Sequence, residues 1–167
     1  MELRISGLVN DSIVDGPGFR FVVFVQGCPH HCEGCHNPQT HDFEGGTTTT
    51  TEEIMVKIKR NPLLKGITLS GGEPFCQCAP LAELARMVKK QGLSVMAYSG
   101  YTIEQLLQRA KTEESVRALL LNCDILVDGP FIKEQRDISL RFRGSKNQRI
   151  IDPVASLKKG VAVEREF

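Results

Sequence analysis

The feature that most constrains the fold is an alternation of short apolar runs with amphipathic runs along the chain. The first apolar run, residues 19–26 (FRFVVFVQ), is β-branched and aromatic and lies between glycine turns, which predicts a buried strand. Further short runs predict strands at 66–70, 94–98 and 124–127. Because strands that alternate with helices form right-handed βαβ units, the sequence predicts an α/β fold with a parallel sheet.

Capping patterns and prolines indicate where the intervening helices begin. Thr50 and Thr102 are each followed three residues later by Glu or Gln, which is the capping-box pattern of a helix N-terminus. The threonine run at 47–51 is therefore predicted to be a loop that leads into a helix. Pro80 predicts the start of the next helix, because proline is favoured in a first helical turn.

Four loops that follow the predicted strands have unusual compositions. They read GCPHHCEGCHNP, SGGEP, YSGY and VDGPF in chain order. In open α/β sheets, ligands bind beside the carboxyl ends of the strands, where these loops meet. The sequence therefore predicts a ligand site at this edge of the sheet.

Length and composition favour one cytoplasmic domain that spans residues 1–167. The chain has 167 residues, 41% hydrophobic residues and a net charge of +1, which gives no reason to expect binding to nucleic acid or to a membrane. No apolar run approaches the ~20 residues of a membrane span, and the N-terminus lacks a signal-peptide pattern. In the cytoplasm thiols stay reduced, so the six cysteines are expected to be metal ligands, catalytic groups or core residues.

Cys28, Cys32 and Cys35 have the spacing C-x3-C-x2-C, which keeps three thiols within reach of one inorganic centre. A zinc site would need a histidine as its fourth ligand. A redox dithiol would use Cys32 and Cys35 and leave Cys28 over. An iron–sulfur cluster with three cysteine ligands would keep one open coordination position, as catalytic metal centres do.

The cysteine spacing resembles the signature of the radical S-adenosylmethionine (SAM) superfamily. SGGEP, residues 70–74, resembles the second motif of that superfamily. The resemblance implies an incomplete β/α barrel in which Cys28, Cys32 and Cys35 bind a catalytic [4Fe–4S] cluster. It also implies that S-adenosyl-L-methionine (SAM) binds at the open iron.

The resemblance further implies which residues contact SAM. The superfamily usually has an aromatic residue immediately before the last cysteine, where this sequence has a glycine, so the next ring, His36, is predicted to pack on adenine. Glu73 is predicted to accept a hydrogen bond from the SAM ammonium group. The cofactor-binding residues predicted in this way are Gly34, Cys35, His36, Gly71, Gly72, Glu73, Ser99 and Gly100.

Several patches narrow the resemblance to activating enzymes of glycyl-radical enzymes. DGPGFR, CHNPQT, YSGY, DILVDGPF and RGSKNQRIID together resemble the activating proteins of anaerobic ribonucleoside-triphosphate reductase. The implied partners are the large glycyl-radical reductase subunit, near its C-terminal glycine, and an electron donor such as flavodoxin or ferredoxin. Two alternatives remain open, namely activation of another glycyl-radical enzyme such as pyruvate formate-lyase, and a zinc-stabilised binding module.

The remaining candidates have ordinary explanations. Residues 131–149 carry six basic and two acidic side chains, a local charge of +4, which suits an acidic partner surface, the SAM carboxylate or a solvated face. The other cysteines are interpreted as small apolar or incidental residues. The remaining histidines are interpreted as loop residues rather than ligands. These two groups are Cys76, Cys78 and Cys123, and His30, His31 and His41.

Overall fold

A seven-stranded mixed sheet forms the centre of the computed structural model, which describes residues 1–166. The strands are β1 (Glu2–Ser12), β2 (Arg20–Val25), β3 (Thr47–Thr50), β4 (Gly66–Gly71), β5 (Ser94–Tyr98), β6 (Ile125–Asp128) and β7 (Arg149–Ile151). Their order across the sheet is β3-β1-β2-β4-β5-β6-β7. The strands at the two ends of this order, β3 and β7, do not pair with each other within residues 1–166. The sheet is therefore open, as an incomplete barrel requires.

The four central strands, β2, β4, β5 and β6, are parallel. They are the strands that the apolar runs predict, and the α/β class with a parallel sheet is confirmed. Both faces of a parallel sheet are covered, which explains why these strands have continuous apolar runs. Three antiparallel strands, β1, β3 and β7, flank this parallel core.

The prediction of a loop at 47–51 is wrong for its first four residues. Thr47–Thr50 form β3, which pairs antiparallel with the N-terminal strand β1, with Glu2 opposite Thr50 and Ile5 opposite Thr47. Threonine is β-branched and favours strands, but these residues become a strand only because β1, which is remote in sequence, pairs with them. Thr50 still caps the following helix, since its hydroxyl accepts a hydrogen bond from the amide of Glu53.

Five helices are present among residues 1–166: α1 (Thr51–Lys59), α2 (Cys78–Lys90), α3 (Ile103–Ala110), α4 (Glu114–Leu121) and α5 (Pro153–Lys159). The capping box at Thr102 is confirmed, with both of its hydrogen bonds formed. Helix α2 starts at Cys78, so Pro80 lies within its first turn, where the missing amide proton costs no helical bond.

The two faces of the sheet have different environments. Val95 and Ala97 of β5 belong to the large apolar cluster beneath α1 to α4. Met96 and Tyr98 alternate with them and therefore lie on the opposite face, in a smaller cluster. This second face is covered by loops rather than by α1 to α4, which pack on the large cluster on the other side.

The connection from β1 to β2 packs onto the second face, where it is held by a buried arginine. The guanidinium group of Arg20 donates to the carbonyl oxygen of Pro17 and to the hydroxyls of Thr68 and Ser94. Thr68 in turn donates to the backbone oxygen of Asp15. Burial lowers the pKa of Arg20 to about 10. These bonds hold the DGPG turn against the sheet.

Within residues 1–166, no helix has the length and apolar character needed to cross a membrane.

Candidate active site

A pocket of about 390 Å³ opens at the carboxyl ends of the parallel strands. This volume lies in the range of small-molecule sites, roughly 300–1,000 Å³. Its walls come from all four of the predicted loops and from the connection between β6 and β7. The other three loops contribute Ser70–Gly72, Tyr98–Gly100 and Gly129. The cysteine loop contributes its three cysteines and four polar neighbours, namely Cys28, Cys32, Cys35, His30, His36, Asn37 and His41.

Cys28, Cys32 and Cys35 all line this pocket as free thiols. Cys28 is buried, whereas Cys32 and Cys35 are half-buried. The loop that carries them is closed at its base, because the amide of Gly27 donates to Thr40 at 2.7 Å and that of Cys28 donates to His41 at 3.2 Å. The backbone therefore presents three thiols to one cavity from a closed loop.

The donor set suits an iron–sulfur cluster, because such clusters are held by cysteine thiolates. A single zinc ion would need its ligands within about 2.0–2.3 Å of one point. Across residues 1–166, no three His, Cys, Asp or Glu side chains are grouped closely enough to hold a metal ion of any kind as they stand. Burial raises the pKa of Cys28, because removal from water disfavours the thiolate.

The other three cysteines lie outside the pocket and are poor ligands. Cys76 is exposed, whereas Cys78 and Cys123 are buried, and burial raises the pKa of these two thiols to about 12. Cys78 donates its S–H to the carbonyl of Phe75, and Cys123 donates to that of Ile125. These thiols stay protonated at neutral pH.

Glu73 has a fully buried side chain behind the wall of the pocket, and four donors surround its carboxylate. The amides of Phe75 and Gly100 donate at 2.9 and 2.8 Å, the hydroxyl of Ser99 lies 3.0 Å from both oxygens, and His30 Nε2 lies 2.7 Å from Oε1. In this structure Glu73 connects loops of the chain to one another. Its contact with the SAM ammonium group stays a prediction.

His30 lies in the cysteine loop, as predicted, but its ring makes contacts that the sequence does not indicate. Its ring lines the pocket, contacts Glu73 and packs edge-on against Tyr101 at 4.6 Å between ring centroids. The neighbouring His31 is exposed and faces His41. Nothing in the local sequence distinguishes the two histidines, because the partner of His30 is 43 residues away.

The glycines of SGGEP line the pocket, but they are also required for contact with the chain's own backbone. A Cβ atom on Gly71 would lie 2.7 Å from Cα of Phe24, and one on Gly72 would lie 2.4 Å from the carbonyl oxygen of Gly27. Gly71 also has a φ of +89°. These glycines let the end of β4 approach the base of the cysteine loop.

The predicted adenine wall is partly supported by the geometry. His36 lines the pocket, and its ring centroid lies 5.2 Å from that of Phe131. Gly34 is exposed, with a φ of +75°, and is not part of the pocket lining. Ser99 and Gly100 do line it. His36 and Phe131 thus form an aromatic corner beside the thiols.

The RGSKNQ motif braces the connection between β6 and β7 at the opposite wall. Gln148 accepts hydrogen bonds from the amides of Gly144 and Ser145, and Asn147 donates to the carbonyl of Pro130 at 2.7 Å. Arg143 projects from this braced segment into the pocket lining, and its buried Nε has no hydrogen-bond partner. The charge of residues 131–149 indicates a basic segment but does not identify the arginine that reaches the pocket.

Asp128 of VDGPF supports the same wall from below. Its buried carboxylate accepts hydrogen bonds from the amide of Ile103, at the start of α3, and from the guanidinium group of Arg149 at 2.6 Å. Arg149 also pairs with Glu104. These bonds join β6, β7 and α3, so this arginine of the basic segment is a structural residue.

Three thiols in a pocket at the carboxyl edge of a parallel sheet define an α/β protein with a cysteine-lined site. Residues 14–151 match the family described as the 4Fe-4S single cluster domain. An anaerobic ribonucleoside-triphosphate reductase-activating protein of Vibrio cholerae is 37% identical over 146 residues, which cover 83% of this chain and 90% of that protein. The chain belongs to the family of anaerobic ribonucleoside-triphosphate reductase-activating proteins.

Two further similarities are more partial. The pyruvate formate-lyase-activating enzyme of Clostridium pasteurianum is 41% identical over 95 residues, which cover 54% of this chain and 40% of that enzyme. The solved structure of QueE from Escherichia coli has a TM-score of 0.48 and 18% identity, and it covers 61% of this chain and 54% of that one.

Proposed function

We propose that this chain is a radical SAM activase, an oxidoreductase that generates a glycyl radical on anaerobic ribonucleoside-triphosphate reductase. The observation that carries the proposal is the grouping of Cys28, Cys32 and Cys35 in the lining of one pocket, with the other three cysteines outside it. Cys28, Cys32 and Cys35 would hold the cluster, which, once reduced by an external one-electron donor, would supply the electron for reductive cleavage of SAM. The hydrogen atom would come from a glycine Cα of the reductase.

The three cysteines would hold the cluster and leave one coordination position for the amino and carboxylate groups of SAM. Gly71, Gly72, Ser99 and Gly100 form the pocket wall beside the thiols, where backbone groups can approach a ligand closely. The chain also supplies a concave site from which water is displaced when SAM and the partner bind, which protects a reactive radical.

Two side chains would orient SAM within this pocket. His36, in its corner with Phe131, is placed to stack on adenine. Among residues 1–166, Arg143 is the one lysine or arginine side chain in the pocket lining, and its unpaired buried Nε needs an acceptor. The methionyl carboxylate of SAM is an anion of suitable chemistry, since charge-assisted hydrogen bonds to arginine are strong and directional.

The proposed partners are the large reductase subunit, which presents its C-terminal glycine region at the pocket mouth, and a one-electron donor such as flavodoxin or ferredoxin. The names of the relatives support the reductase as partner. All six cysteines, which lie within residues 1–166, are free, and this supports a reducing compartment such as the cytoplasm.

The test is anaerobic reconstitution with iron and sulfide, followed by incubation with SAM, a reductant and the anaerobic reductase. A glycyl-radical EPR signal on the reductase, with release of methionine and 5′-deoxyadenosine, is the expected result. Reconstituted protein that binds a cluster but cleaves no SAM would contradict the proposal. The Cys32→Ala variant controls for chemistry by free iron.

A second candidate function has one specific observation in its favour. The similarity to a pyruvate formate-lyase-activating enzyme reaches 41% identity, although over only 54% of this chain. Parallel incubations with the anaerobic reductase and with pyruvate formate-lyase decide between the partners, because the radical forms on only the correct enzyme. The match to a 4Fe-4S family argues against the zinc-stabilised binding module.

A further inference from the structure

Four donors from three different loops surround the carboxylate of Glu73. The amides of Phe75 and Gly100 donate to it, as does the hydroxyl of Ser99, which lies 3.0 Å from both oxygens. The fourth donor is His30, which comes from the cysteine loop and whose Nε2 lies 2.7 Å from Oε1.

The ring of His30 is held in place from several sides. Its side chain is only 18% exposed and lies edge-on against Tyr101. Gly100 packs so closely on it that a Cβ atom there would lie 2.4 Å from Cδ2 of His30. The close packing against His30 therefore explains why position 100 is a glycine, independently of the hydrogen bond between the Gly100 amide and Glu73.

Through these contacts, Glu73 and His30 form a rigid bridge between the loops that follow the carboxyl ends of three parallel strands. The cysteine loop leaves β2, Glu73 follows β4, and Ser99 and Gly100 follow β5. A hydrogen bond with an ionised partner is roughly twice as strong as a neutral one. Inside a fully buried environment, losing it leaves a costly unpaired acceptor.

We infer that His30 is a positioning residue, which through Glu73 sets the place of the cysteine loop relative to the Ser99–Gly100 wall. This inference rests on the proposed function, because its consequence is the alignment of the cluster with SAM. Reacting groups held in a productive arrangement lose much of their advantage when displaced by about 1 Å. His30 therefore contributes to SAM affinity without being a cluster ligand.

The experiment compares His30→Leu, which removes the donor, with His30→Gln, whose side-chain amide can replace Nε2. His31→Asn is the matched control, because His31 is the exposed neighbour, and asparagine tolerates its φ of +48°. For each reconstituted protein, iron and sulfide content are measured first, and the SAM dissociation constant is then measured by equilibrium dialysis at equal cluster content, well below the unfolding temperature.

The expected result is an unchanged iron content in all variants. The SAM dissociation constant rises about tenfold for His30→Leu, stays within about threefold of wild type for His30→Gln, and is unaffected by His31→Asn. In a Glu73→Gln background, His30→Leu has little further effect, because both residues act through the same bond.

Three outcomes would overturn the inference. These are an unchanged SAM affinity in His30→Leu, an equal loss in His30→Gln, or a loss of iron in His30→Leu that would make His30 a determinant of cluster assembly. Wild-type protein that holds a cluster but binds no SAM would instead refute the proposed function. The wild-type measurement thus separates the two failures. Should Glu73→Gln not fold, the comparison of the two His30 variants stands on its own.

Discussion

His30 Nε2 lies 2.7 Å from Oε1 of Glu73, and this contact joins the cysteine loop to the SGGEP loop across 43 positions of sequence. The carboxylate is buried and accepts hydrogen bonds from the Ser99 hydroxyl and the Gly100 amide as well. One acidic side chain therefore organises the edge of the sheet at which the cysteines, the glycines and the basic wall converge.

The first prediction concerns the stability of this bridge. Glu73→Gln should lower the free energy of unfolding of the cluster-free chain by about 3 kcal/mol, because an amide NH₂ would face donors in a buried site. Urea unfolding followed by circular dichroism measures the change. Glu134→Gln, at an exposed position, is the control and should stay within about 0.5 kcal/mol of wild type. An equally small effect for Glu73→Gln would show that water can replace Glu73 as the acceptor for the surrounding donor groups.

The second prediction concerns the cluster ligands. Cys32→Ala should abolish cluster binding after anaerobic reconstitution, because two thiols remain where three are needed. Iron and sulfide analysis and the visible absorption of the cluster provide the measurement. Cys76→Ala should retain a full cluster, since Cys76 is exposed and lies outside the pocket. Equal iron loss in both variants would show that Cys76 is a ligand.

The third prediction tests the pairing of Arg143 with the SAM carboxylate. Arg143→Gln should weaken SAM binding to the cluster-loaded protein about tenfold or more, since a charge-assisted hydrogen bond contributes about 1.5–3 kcal/mol. Binding of decarboxylated SAM should change less than about twofold, because that ligand has no carboxylate to lose. Lys146→Gln, an exposed cation of the same segment, is the control. An equal loss of affinity for SAM and for decarboxylated SAM would show that Arg143 contacts a part of SAM other than its carboxylate.

The fourth prediction concerns the close contact between Gly100 and His30. Gly100→Ala should destabilise the chain by about 1–3 kcal/mol, because its Cβ would overlap the imidazole ring. Gly7→Ala is the matched control, since a Cβ on Gly7 meets no atom within 4 Å. Thermal unfolding of both variants compares the two sites. A harmless Gly100→Ala would indicate that His30 moves freely, which conflicts with a rigid bridge.

The fifth prediction is a loss of stability in alkaline solution. Burial raises the pKa of Cys78 and Cys123 from about 9 to about 12 in the folded chain. Above pH 9 the unfolded chain releases these protons while the folded chain retains them. The free energy of unfolding is therefore at its full value below pH 9 and falls as the pH rises toward 12. Urea unfolding from pH 8 to pH 11 measures the slope. The double variant Cys78→Ala/Cys123→Ala should have a shallower slope, and an identical slope would assign the effect to other groups.

The sequence alone determined the parallel core and the loops that surround the pocket. Short β-branched runs and capping boxes are local signals, so β2, β4, β5 and β6 and the N-terminus of α3 are predicted nearly at their observed bounds. The spacing of Cys28, Cys32 and Cys35 is equally local. It identifies three thiols of one loop without any knowledge of the rest of the chain.

Only the tertiary structure decided which side chains complete the site. The threonine run becomes β3 because β1 lies beside it, and His30 differs from His31 because Glu73 lies within hydrogen-bond distance of one ring alone. In the same way, Arg143 reaches the pocket while Arg149 is bound by Asp128. Hydrogen bonds and buried charges act over a few ångströms in space, so residues remote in sequence choose the partner of each polar side chain.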